Sequence, residues 1–218
     1  MHQSVSSKLP EFLKQYEGKV NFMYLDVKGL VTIGIGNLID PVNSALKLEF
    51  QKKGGGGAAV SSAEIIAEWN VVKSRTDLMT KGSTGFGAIT SLELTDKGIT
   101  TMVNSHAKAI ETYITTNATA MKYYSNFSNW PADAQMALLG IAWGVMPLPQ
   151  FGWRKFPEAC KNEDWETASK ECTISSAIAT GRNEAHKLMF LNAAAVKSNG
   201  DPISELSWPI RHGRTVSA

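Results

Sequence analysis

The stretch YEGKVNFMYLDVKGLVTIGIGN, residues 16–37, holds two carboxylates and a hydroxyl at places where they could act together. Hydrolysis of a glycosidic bond needs a carboxylic acid to protonate the departing sugar oxygen and a second, ionised carboxylate to activate water. Glu17 lies four residues after Leu13, at the edge of a helix's apolar stripe. It is expected to be partly desolvated there, the environment that favours a protonated acid. Asp26 falls in a turn between two strands, where it is expected to be wetter and to stay ionised. Strand alternation puts Val31, Ile33 and Ile35 on one face and Thr32, Gly34 and Gly36 on the other. Thr32 would then offer one hydroxyl on a nearly bare backbone floor that a bulky ligand can approach. Taken singly these residues are ordinary, since Glu-Gly ends many helices, Asp-x-x-Gly makes turns and strand glycines mark bulges.

The elements that must position them follow from periodicity. SSKLPEFLKQYEG reads as a helix with a serine cap at Ser6 or Ser7, Pro10 in its first turn and Gly18 as its stop. FMYL and LVTIGIG read as two strands of a hairpin around residues 26–29. Between residues 41 and 60 the pattern dissolves, and the four glycines 54–57 read as a connection rather than an element. Ser61 and Glu64 form a capping box for SSAEIIAEWNVVKS, and Thr95 caps a long helix carrying Ile99, Met102, Val103, Ile110 and Ile114. PADAQMALLGIAWGV, apolar on nearly every face, reads as a buried central helix, with two more helices around DWETASKEC and RNEAHKLMFLNAAAVK. The expected fold is α+β and mostly helical. It is one domain over residues 1–218, with a small lobe near 15–94 carrying the hairpin, a larger helical lobe from about 95 that includes the first helix, and a cleft between.

Composition narrows the function classes. With 218 residues and 43% hydrophobic content the chain can bury one sizeable core, and a net charge of +2 is too small to argue for nucleic acid. No apolar run is long enough to span a bilayer, and MHQSVSSKLPEF lacks a secretory leader's basic start and apolar centre. Neither membrane insertion nor a signal peptide is expected. His2, His106, His186 and His212 share no metal-ligand spacing, so no metal is implied. Gly34-Ile35-Gly36 lacks the third glycine of a dinucleotide fingerprint, with Ile39 in its place. Cys160 and Cys172 could form one disulfide, or be two small buried hydrophobes.

The order Glu17-Gly18, then Tyr24-Leu25-Asp26, then Gly29-Leu30-Val31-Thr32-Ile33-Gly34-Ile35-Gly36 resembles the phage-type lysozymes, the muramidases of glycoside hydrolase family 24. NWPADAQMALLGIAWG and GRNEAHKLMFLNAA resemble later helices of that family more loosely. The resemblance implies a lysozyme-like fold without cofactors that cleaves the β-1,4 bond between N-acetylmuramic acid and N-acetylglucosamine in peptidoglycan glycan strands. It implies Glu17 as general acid, Asp26 and Thr32 as holders of the attacking water, and inversion at the anomeric carbon. Where many relatives carry histidine after Gly-x-Gly, this chain has Asn37. Substrate contacts are assigned to Gly34, Gly36, Asn37, Trp143 and Arg182. The expected protein is a monomer acting in the bacterial periplasm or cell wall, either a phage endolysin released by lysis or an antibacterial effector delivered by a secretion machine. In the second case a cognate immunity or inhibitor protein is an expected partner. Lytic transglycosylases, which use one acid and no activated water, and catalytically silent wall-binding modules are the alternatives.

Overall fold

The computed structural model describes residues 1–55, 59–148, 154–175 and 180–211. It divides into two compact units, Leu13–Val103 and Met1–Phe12 with Asn104–Ala218. The architecture is α+β and mostly helical with a small antiparallel sheet.

Helix α1 (Gln3–Glu17) begins earlier than its serines suggest and carries Pro10 in its interior. Ser6 and Ser7 turn their hydroxyls onto the Gln3 carbonyl, so they belong to the first turns instead of capping them. Val5, Leu9, Phe12 and Leu13 make the buried stripe.

In the unit Leu13–Val103, β1 (Val20–Leu25), β2 (Val31–Gly34) and β3 (Asn37–Leu38) form an antiparallel meander. A two-stranded hairpin is what the sequence suggests; the run LVTIGIG breaks instead at Gly34, and Ile35-Gly36 becomes a second turn. The cause is backbone geometry, because Gly34 and Gly36 both have φ of 71°, which strands do not use. Residues 41–60 are also more regular than they read. They hold a 3₁₀ segment, Val42–Lys47, and β4 (Phe50–Lys52), which pairs with β5 (Leu92–Leu94) across a large sequence separation. Gly56 and Gly57 of the glycine run lie outside the described residues. Helix α2 (Ser62–Ser74) starts on the expected capping box, Ser61 Oγ accepting from the Glu64 amide and the Glu64 carboxylate accepting from the Ser61 amide. A 3₁₀ segment, Thr76–Phe86, absorbs KGSTGF and packs on β1.

Helix α3 (Asp96–Thr116) is capped by Thr95, whose Oγ accepts from the Gly98 amide at 2.9 Å. The division between units falls inside α1 and inside α3.

In the other unit, α4 (Met121–Tyr124) and a 3₁₀ turn, Phe127–Asn129, lead into α5 (Ala132–Val145), which is buried continuously from Ala132 to Ala142, as its lack of a polar face predicts. Helix α8 (Thr180–Asn199) packs on it, α7 (Trp165–Glu171) packs on α8, and α6 (Lys155–Lys161) packs on α7. Tyr124, Phe127, Trp130, Trp165, Phe190 and Phe156 form one chain of aromatic contacts. Each such buried ring contributes on the order of 2 kcal/mol from lost apolar surface. Asp133, in the first turn of α5, accepts from Asn192 Nδ2 and from the Ser207 and Trp208 amides, which ties the later chain to the helix start. Among the described residues no helix is long and apolar enough to cross a membrane.

Candidate active site

Asp26 closes β1 and builds the turn into β2. Its amide donates to the Leu30 carbonyl and its carbonyl accepts from the Gly29 amide, both at 3.0 Å. Its Oδ1 accepts the Lys28 and Leu30 amides at 2.8 and 2.9 Å. One carboxylate oxygen is thereby fixed by backbone, and no hydrogen bond from a described residue reaches Oδ2. A half-buried carboxylate with one oxygen anchored and one open can receive a proton along a defined direction.

Thr32 lies opposite Tyr24 in the β1–β2 register and is buried, 4% exposed. Its hydroxyl donates to the Leu30 carbonyl at 3.2 Å, leaving the oxygen's lone pairs to accept. Leu30 therefore joins Asp26 to Thr32 through its own amide and carbonyl.

Glu17 is the last residue of α1, followed by Gly18 at φ 74° with its amide on the Lys14 carbonyl. The order of environments expected from sequence is reversed. Glu17 is exposed and Asp26 is half-buried, because the chain leaves α1 at once while the Asp26 turn folds onto its own backbone. Ionisation of the half-buried Tyr24 phenol is pushed to higher pH first by burial, then by the charge of Asp26, then by that of Glu17. Sequence reading treats Tyr24 only as a motif position; its register opposite Thr32 is the signal that could have marked it.

The bare glycine floor is only half present. A Cβ built on Gly34 would fall 2.2 Å from Met102 Cε, so α3 has already covered that position. Gly36 is exposed, and a Cβ there would meet nothing within 4 Å. Asn37 is buried, its Oδ1 accepting from the Ile35 amide at 3.2 Å, and so braces the turn that carries Gly36. Of the residues assigned to substrate contact in this unit, Gly36 alone presents open backbone.

Trp143 and Arg182 belong to the other unit. Trp143 is half-buried near the end of α5, with His106 edge-on to its ring at 4.7 Å. Arg182 is buried and its Nη2 donates to the Gly140 carbonyl at 2.5 Å, while the guanidinium lies 3.4–3.7 Å from where a Gly144 Cβ would stand. Arg182 is thus a brace for α5, in van der Waals reach of a side chain at 144.

Cys160 and Cys172 are free, buried thiols, and the disulfide considered from sequence is not formed. Cys160 sits within α6, whereas Cys172 follows α7 and donates its thiol to the Ser169 carbonyl at 3.4 Å. Burial pushes the Cys172 thiol up to about 12 and Cys160 well above its usual range. Among the described residues no three His, Cys, Asp or Glu side chains gather where they could hold a metal ion. The sequence matches no protein-family model, and no curated protein is significantly similar to it.

Proposed function

We propose that this chain is a muramidase, a peptidoglycan hydrolase with a lysozyme-like fold that cleaves the β-1,4 bond after N-acetylmuramic acid. The observation that carries the reading is the Asp26–Leu30–Thr32 arrangement, in which one Asp26 oxygen is fixed by the Lys28 and Leu30 amides, the other is open, and the Thr32 hydroxyl is held by the same Leu30. In this reading Glu17 protonates the departing oxygen, the open Oδ2 of Asp26 takes a proton from water, and Thr32 Oγ accepts the water's other hydrogen. Water held in that way attacks the sugar face opposite the acid and inverts the anomeric carbon. Because Glu17 is exposed in the free chain, the bound glycan itself supplies the desolvation that favours proton donation. The sequence motif from Glu17 to Gly36 supports the same assignment.

The test is mass spectrometry of fragments released from purified peptidoglycan by the native chain and by Glu17→Gln. Fragments ending in reducing N-acetylmuramic acid, absent with the variant, are expected. Anhydro ends would identify a lytic transglycosylase instead, and wall binding without fragments from the folded native chain would identify a binding module.

A further inference from the structure

Two successive peptide units, Gly29–Leu30 and Leu30–Val31, lie between the proposed water-holding residues and an ion pair that the motif does not contain. Lys73 in α2 and Asp40, just after β3, are joined at 2.6 Å, with the Lys73 side chain 37% and the Asp40 side chain 16% exposed. Lys73 Nζ also donates to the Gly29 carbonyl at 2.8 Å, and Asp40 Oδ2 accepts from the Val31 amide at 3.2 Å.

Each contact grips one end of a peptide whose other end serves the candidate site. The Gly29 carbonyl shares its peptide with the Leu30 amide that donates to Asp26 Oδ1. The Val31 amide shares its peptide with the Leu30 carbonyl that accepts both the Asp26 amide and the Thr32 hydroxyl. In a trans peptide the carbonyl and amide point in opposite directions, so the ion pair holds the outer edge of the turn while Asp26 and Thr32 hold its inner edge. A cation on a carbonyl polarises that peptide and strengthens donation by its amide, and an anion on an amide strengthens acceptance by its carbonyl. Lys73 itself is held beside the strands by Trp69 of the same helix, whose ring lies 5.8 Å from Nζ and whose Nε1 donates to the Ile39 carbonyl at 2.9 Å.

We infer that the Lys73–Asp40 pair is a positioning device for the hydrolytic water, acting through these two peptides on the Asp26 carboxylate and the Thr32 hydroxyl. The inference rests on the muramidase reading for its catalytic meaning, and its physical content can be measured without any substrate. Neither residue touches the reacting atoms. Losing the pair leaves the turn folded but free to shift by fractions of an ångström, which lowers turnover more than it weakens glycan binding.

The experiment compares native chain, Lys73→Met, Lys73→Arg and the double variant Asp40→Asn with Lys73→Met, the last removing both charges so that none is stranded. Amide proton shifts of Lys28 and Leu30 are read by NMR, and kcat and KM are read on soluble peptidoglycan fragments. Expected are an upfield displacement of the Leu30 amide in Lys73→Met and in the double variant, a kcat lower by roughly ten- to a hundredfold with KM changed less than threefold, and substantial rescue by arginine. A Leu30 amide at its native position in folded Lys73→Met and in the double variant overturns the device. So does a rise in KM at unchanged kcat. If the native chain releases no fragments, the muramidase reading fails by itself, and the Leu30 amide still decides whether the pair grips the turn.

Discussion

His186 offers a prediction whose size can be worked out from its surroundings. It lies in α8 with no exposed surface, and neither ring nitrogen has a hydrogen-bond partner among the described residues. Its ring rests against the backbone of α5, where a Cβ on Gly140 would come within 2.8 Å of Nε2, and the Phe12 ring lies 5.8 Å away. Burial, and secondly the charge of Arg182, push the imidazole down to about 3 from 6.5. As pH falls, the unfolded chain therefore takes a proton on this residue long before the folded chain does. The folded state has its full stability above about pH 6.5 and loses it progressively down to about pH 3. Between pH 7.5 and pH 5 this one residue should remove about 2 kcal/mol.

The perturbation that isolates the effect is His186→Leu, which has similar volume and no titrating group. At pH 7.5 the variant should be at least as stable as the native chain, because two unsatisfied buried nitrogens disappear. At pH 5 it should be the more stable by about 2 kcal/mol, which at a slope of about 2 kcal/mol per molar urea displaces the tryptophan-fluorescence midpoint by roughly 1 M. Carboxylates that titrate in both proteins cancel in the difference. Equal losses of stability in the two proteins between pH 7.5 and pH 5 would refute the reasoning, since they would mean that a proton reaches His186 in the folded chain.

Asp26→Asn keeps the oxygen that accepts the Lys28 and Leu30 amides yet cannot take a proton, so it should fold normally and lower the release of muropeptides by about 10²- to 10⁴-fold. Thr32→Val should cost roughly tenfold in the same assay, the worth of one hydrogen bond to water; an unchanged rate would remove Thr32 from the site. Gly34→Ala must both hold a left-handed φ and displace Met102, for a loss of about 2–4 kcal/mol in denaturant titration, whereas Gly36→Ala has only the backbone term of about 1–2 kcal/mol. Equal losses would show that the flexible end of Met102 yields to the added methyl at no cost. A thiol reagent should leave Cys160 and Cys172 unmodified in the folded chain and label both in denaturant, and labelling of either one without denaturant would contradict their burial.

Helix α5 was legible because a run that is apolar all round can only be buried, and α2 because its capping box is a local device written in four residues. Contacts between residues far apart in sequence were not legible. Nothing in FQK announces a strand until LEL is seen beside it, and glycines 34 and 36 read as strand residues until their positive φ turns the chain. The environments of Glu17 and Asp26 differ from the sequence expectation for the same reason. Position on a helical stripe says which side chains face a core, but exposure at the last residue of a helix depends on where the following chain goes.

The same distinction separates the parts of the candidate site. Its reacting groups come from one continuous stretch, and Asp26, Leu30 and Thr32 are joined by hydrogen bonds that span four residues or fewer. Such contacts cost little chain entropy to form, but they leave the turn's outer edge unheld. What fixes that edge arrives from elsewhere: Asp40 on the Val31 amide and Lys73 on the Gly29 carbonyl. A motif search sees only the first set. It follows that the stretch from Glu17 to Gly36 can be present in full and still be a poor catalyst if the residues at 40 and 73 are wrong, because a water-holding carboxylate loses most of its value when its position is uncertain by an ångström.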